Sequence, residues 1–210
     1  MPEIPDYYRR YMAVFGRLMD DTEATTAGGA PVSQEEALQG LCALTNEMKA
    51  DGGRLFFCGN GASAAFASHM TLDWSKNGGV PAIALNDPAQ LTALGNDLGY
   101  DEVFAAPVRW HGKAGDLLVV ISSSGNSPNV VRAIEAARDI GMMVATFTGL
   151  KPDNESRKRG DLNFFVPAKT YGIVECAHQL LLHAWLDCSL GLEEWDREAI
   201  QNMRADEFQA

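Results

Sequence analysis

Between residues 54 and 190 the chain alternates short β-rich apolar runs with stretches of helical periodicity. No other feature restricts the fold as much. Strand candidates are Arg54–Cys58, Ala82–Leu85, Asp116–Ser122, Met143–Phe147 and Leu162–Val166. Helices are predicted near 62–76, 90–98, 102–110 and 129–140, and a last long helix from about Tyr171 to Leu190. Runs such as Leu117-Leu118-Val119-Val120-Ile121 have no polar face, as expected of parallel strands covered on both sides. The pattern predicts one doubly wound α/β domain.

A helical arm precedes it. Tyr7, Tyr8, Tyr11, Met12, Phe15, Leu18 and Met19 recur at three- and four-residue spacing and mark one helix face. Gly28-Gly29 and Pro31 break the pattern. Ser33 followed by Glu36 is a capping-box signature. A second amphipathic helix then carries Ala37, Leu38, Leu41, Leu44 and Met48 to about Ala50, before Asp51-Gly52-Gly53 ends it. The aromatic and methionine content of the arm suits a subunit interface.

Composition removes several function classes. At 210 residues and 46% apolar, the chain can bury a core without disulfide or metal staples. No run approaches the roughly 18 apolar residues of a membrane helix. Met1–Asp6 shows no basic patch before an apolar stretch, so no signal peptide and a cytoplasmic location are expected. The net charge is −11, and the only basic cluster is Lys151 with Arg157, Lys158 and Arg159, so nucleic acid is not an expected partner. Cys42, Cys58, Cys176 and Cys188 form no CxxC pair and read as reduced, buried thiols.

Two loops carry the chemistry. Ser122-Ser123-Ser124-Gly125-Asn126-Ser127 follows a strand and enters a helix at Pro128. Amides and helix dipole favour an anion there, and the hydroxyls add donors without net charge. The loop fits neither GxxxxGK[ST] nor GxGxxG, and a hydroxyl-rich loop without lysine suits a sugar phosphate. Cys58-Gly59-Asn60-Gly61-Ala62-Ser63 is a second strand-to-helix loop, and the two would border one crevice. Asn60, Gly61, Ser63, Ser122, Ser123, Ser124, Asn126 and Ser127 are therefore candidate substrate-binding residues.

With the segment from Ala93 to Phe104, which includes Asp97, these loops resemble the sugar isomerase (SIS) family and within it the phosphoheptose isomerases. The likeness runs from about Leu55 to Leu186. It implies a five-stranded parallel sheet, a homotetramer and active sites at subunit interfaces. The implied division is an arm at 1–50, a SIS domain at 51–192 and a polar tail at 193–210. The implied activity is aldose–ketose isomerisation of sedoheptulose 7-phosphate to D-glycero-D-manno-heptopyranose 7-phosphate, for heptose biosynthesis, with Asp97 among the groups holding sugar hydroxyls. Two alternatives are an isomerase of another phosphosugar and a non-catalytic SIS protein that binds a replication initiator as a tetramer.

Independently of that resemblance, His69 and Asp73 lie four apart on one predicted helix face. Glu175, His178 and His183 lie on the last helix, with Glu175 about 80° and His178 about 140° from His183. His69, Asp73, Glu175 and His183 could hold Zn²⁺ or act as acid and base, while His178 reads as a core residue. In the family the matching four positions are His, Glu, Gln and His and hold zinc; the Glu is the base and the last His its acid/base partner. Here Asp73 replaces the Glu and Glu175 the Gln, so either carboxylate is a candidate base. Asn77 and the stretch Lys169–Ile173 also depart from the family, where arginine and polar residues are usual.

Overall fold

A computed structural model describes residues 5–192. Its sheet has seven strands. Five are the expected parallel ones: β3 (Leu55–Cys58), β4 (Ala82–Ala84), β5 (Leu117–Ser122), β6 (Met143–Gly149) and β7 (Leu162–Val166), in spatial order β7-β6-β5-β3-β4. Inside each strand alternate residues serve opposite faces. Leu55, Phe57, Leu117, Val119 and Ile121 join one core cluster, and Phe56, Cys58, Leu118 and Val120 the other.

The other two strands were not expected. β1 (Glu23–Thr26) and β2 (Pro31–Val32) form a hairpin around a 3-10 turn at Ala27–Gly29, and β1 pairs antiparallel with β7. The glycines therefore turn a hairpin within the arm. Both strands are too short for a visible period, and Pro31 sits on the outer strand, where its missing N–H costs nothing.

Helices α2 (Gln34–Ala50), α3 (Ala62–Lys76) and α8 (Tyr171–Leu190) cover one face; α4 (Pro88–Asp97), α5 (Ala105–His111) and α6 (Pro128–Asp139) cover the other. The Ser33–Glu36 capping box starts α2 as expected. The predicted helix at 102–110 divides into a 3-10 turn at Tyr100–Glu102 and α5. A short α7 (Glu155–Arg159) went unread; its basic residues are taken up by neighbours, Arg157 by Glu23, Lys158 by Asp153 and Glu155, and Arg159 by Glu155. α1 (Tyr7–Asp20) lies outermost with no buried residue, so of the expected 1–50 arm only this helix stands outside the layers of the sheet. The tail at 193–210 lies outside the described residues.

Two of the four thiols depart from expectation. Cys42 and Cys58 are buried, but Cys176 and Cys188 are exposed on α8. Burial pushes the Cys42 thiol up to about 11 and that of Cys58 to about 12.

Candidate active site

The serine loop joins β5 to α6. Gly125 takes a φ of +63°, and a Cβ there would meet Asn154 Oδ1. Asn154 is fully buried; its side chain accepts from Arg157 N–H (2.9 Å) and donates to the Lys151 carbonyl (2.9 Å). Ser156 donates to the Gly125 carbonyl (2.8 Å). Thus α7 and the loop before it buttress the serine loop from below, a role the sequence did not reveal. The Ser122 hydroxyl accepts from Gly125 N–H (3.1 Å), and that of Ser124 from Asn126 N–H (3.3 Å). Each hydroxyl keeps its own hydrogen for an anion. Asn126 is tied to the Ser124 carbonyl and to Glu155 N–H. Ser127 caps α6 without a side-chain cap bond, and Pro128 occupies the first turn.

The first loop reaches α3 through Gly61, its N-cap residue. Asn60 and Asn129 exchange amide hydrogen bonds of 3.0 and 2.9 Å, which clamps the two loops together. Asn60 keeps one N–H and one lone pair for a ligand. Ser63 is buried in the first turn of α3. Asp97 is exposed at the end of α4, and its carboxylate accepts from Asn96 (2.8 Å).

α3 and α8 run side by side in the same direction. Met70 meets Gln179, Asp73 meets His183, and Trp74 packs on Trp185 with ring centroids 4.4 Å apart. This seam brings together His69, Asp73 and His183, whose ligand atoms lie within 4.8 Å of one another. Asp73 Oδ2 is 3.3 Å from His69 Nε2 and 4.0 Å from His183 Nδ1. The two imidazoles are half-exposed and meet edge to face at 5.2 Å.

Glu175 does not join them within one chain. Its helical angle suits the site, but eight residues of rise set it about 12 Å along the axis from His183. At its level α8 approaches the serine loop: a Cβ on Gly149 would lie 2.6 Å from Val174 Cγ1, and Gly149 N–H donates to the Ser123 carbonyl (3.1 Å). His178 is the core residue expected. It is fully buried, its Nε2–H donates to the Thr148 carbonyl (3.1 Å), and burial pulls its pKa down to about 4.

The SIS domain family matches residues 29–149, more than half of the chain. The chain belongs to the SIS domain family. The resemblance carried by the loops is thereby borne out, and it extends to the phosphoheptose isomerases. The phosphoheptose isomerase of Bordetella avium is 43% identical over 160 residues, covering 72% of this chain and 81% of that protein. The solved phosphoheptose isomerase of Neisseria gonorrhoeae superposes with a TM-score of 0.75 at 33% identity, over 88% of this chain and 98% of the other. That of Francisella tularensis gives 0.78 at 26%, over 90% and 100%.

Proposed function

We propose that this SIS protein is an aldose–ketose isomerase that interconverts sedoheptulose 7-phosphate and D-glycero-D-manno-heptopyranose 7-phosphate. The observation that carries the reading is the convergence of two imidazoles on one carboxylate oxygen, in a family member whose serine loop is shaped to receive an anion and is tied to the first loop through Asn60 and Asn129. The serine loop takes the phosphate through amides and hydroxyls, and Asn60, Ser63 and Asp97 hold sugar hydroxyls.

The chemistry is a proton relay. A carboxylate, Asp73 or Glu175, removes a proton from the carbon beside the ketose carbonyl while the carbonyl oxygen is protonated, giving an enediol. Delivery of a proton to the neighbouring carbon from the base, after exchange with solvent, with loss of a hydroxyl proton, gives the aldose. His183 moves the protons between the two oxygens, a task for which an imidazole's ring nitrogens can serve as donor and acceptor.

The donor set fits Zn²⁺: two imidazole nitrogens and one carboxylate oxygen, close enough for one ion, leave a coordination position open. When bound, the ion supplies Lewis-acid polarisation of the sugar carbonyl.

The reading also includes a homotetramer with shared sites in the cytoplasm. Within one chain the imidazole cluster and Glu175 stand about two helical turns apart along α8, with Glu175 at the serine-loop end. A neighbouring chain that brings its serine loop to this cluster would close the distance and present its Glu175 as the base. The unburied α1 and the groove of about 780 Å³ between it and the start of α8 offer the interface, since Tyr7, Tyr11, Val14 and Ile173 line that groove. The intact cluster tells against a non-catalytic role.

Incubation with sedoheptulose 7-phosphate, followed by NMR with and without added zinc, tests the activity. The aldose anomeric signal is expected to grow to a fixed ratio with the ketose. Conversion of a different phosphosugar alone would move the assignment to that substrate.

A further inference from the structure

His178 takes no part in the proton relay, yet keeping it buried is costly. Its ring is fully buried, and Nδ1 has no hydrogen-bond partner. A carbonyl oxygen only accepts, so the bond to Thr148 fixes the proton on Nε2 and leaves Nδ1 as a bare lone pair. An apolar side chain of similar size would avoid that desolvation. What the imidazole supplies in return is the Nε2–H bond to the Thr148 carbonyl (3.1 Å).

That bond leads to the serine loop. The peptide that carries the Thr148 carbonyl also carries Gly149 N–H, which donates to the Ser123 carbonyl (3.1 Å). The Ser123 carbonyl in turn shares a peptide with Ser124 N–H. In a trans peptide the C=O and N–H point in opposite directions, and the described chain has no cis bond. The run His178 Nε2–H, Thr148–Gly149 peptide, Ser123–Ser124 peptide therefore ends in a donor directed away from β6. Among the described residues Ser124 N–H meets no acceptor. Successive bonds in such a chain polarise one another and strengthen the terminal donor. The middle peptide is also held in place by packing. A Cβ on Gly149 would lie 2.6 Å from Val174 Cγ1, one turn before His178 on the buried side of α8. Asn154 Nδ2 donates to Thr148 Oγ1 (3.3 Å).

We propose that His178 is a positioning residue for phosphate binding: through the Thr148–Gly149 peptide it sets the orientation of the Ser123–Ser124 peptide, whose N–H meets the phosphate. The inference rests on reading the serine loop as the phosphate site. The last helix then serves the substrate twice, with His183 at its half-exposed edge and His178 from beneath the loop.

Titration of the intact protein with inorganic phosphate, followed by phosphorus NMR, reads the loop apart from turnover. His178→Leu removes the donor and should weaken phosphate binding roughly fivefold or more. His178→Gln, whose Nε2 can again donate, should stay within about twofold of the wild type. With sedoheptulose 7-phosphate, His178→Leu should raise KM by a similar factor and change kcat less. A merely structural role would lower the folded fraction, and so kcat, with KM unchanged; that result overturns the proposal. Equal phosphate affinity in the Leu variant and the wild type overturns the role of His178 and leaves the phosphate site standing. A wild type that binds no more phosphate than the Ser122→Ala, Ser124→Ala double variant overturns both. Should the Leu variant not fold, the wild type alone decides: saturating phosphate should slow hydrogen exchange at the Gly149 amide, and unchanged exchange overturns the coupling.

Discussion

His178 and His183 sit five residues apart on one helix and have opposite fates. His183 is half-exposed beside Asp73, whereas His178 is sealed beneath the sheet and held neutral. The folded pKa of His178, about 4, lies below its unfolded value near 6.5. The unfolded chain therefore binds the extra proton between those values, and stability falls as pH drops through that window. The contribution is full above pH 6.5 and amounts to about 3 kcal/mol at most. Urea unfolding from pH 7 to 4 should show this slope in the wild type, and His178→Gln should flatten it. The sequence distinguished the two histidines by helix angle and by the family resemblance at His183. That angle also put Glu175 beside His183, because it ignores rise along the axis.

The long elements were legible because their periods are long. α3 and α8 fall where periodicity placed them, since each repeats its pattern over enough residues to exclude the other period, and the parallel strands were legible as apolar runs between them. The β1–β2 hairpin and α7 are too short for that, and both are defined by tertiary partners: β7 for β1, and the Gly125 carbonyl for Ser156 at the start of α7. The serine loop was readable as an anion site because helix-entry chemistry is local. Its support from Asn154 was not, because that contact joins segments far apart in sequence. Replacing Ser122 and Ser124 together with Ala should weaken sugar-phosphate binding by roughly 1–3 kcal/mol per donor lost to a charged group. Calorimetric titration with the phosphosugar checks it, and thermal melting should show the fold retained. Unchanged affinity would move the phosphate elsewhere.

On the scale of the whole molecule, the groups proposed for catalysis are spread along one chain. The imidazole cluster sits along the α3–α8 seam, while Glu175 stands two turns away toward the serine loop. Removal of residues 1–30 takes away α1 and most of the hairpin, so assembly and activity should fall together. Sedimentation and turnover on the same samples check this, and a fully active monomer would contradict shared sites. The central claim is proton transfer through an enediol at a sugar phosphate. Reaction of sedoheptulose 7-phosphate in D₂O reads it most directly. The account predicts solvent deuterium at C2 of the aldose product, with the signal lost in His183→Ala. Conversion that proceeds with no deuterium entering at C2, as a direct hydride shift would give, would contradict it.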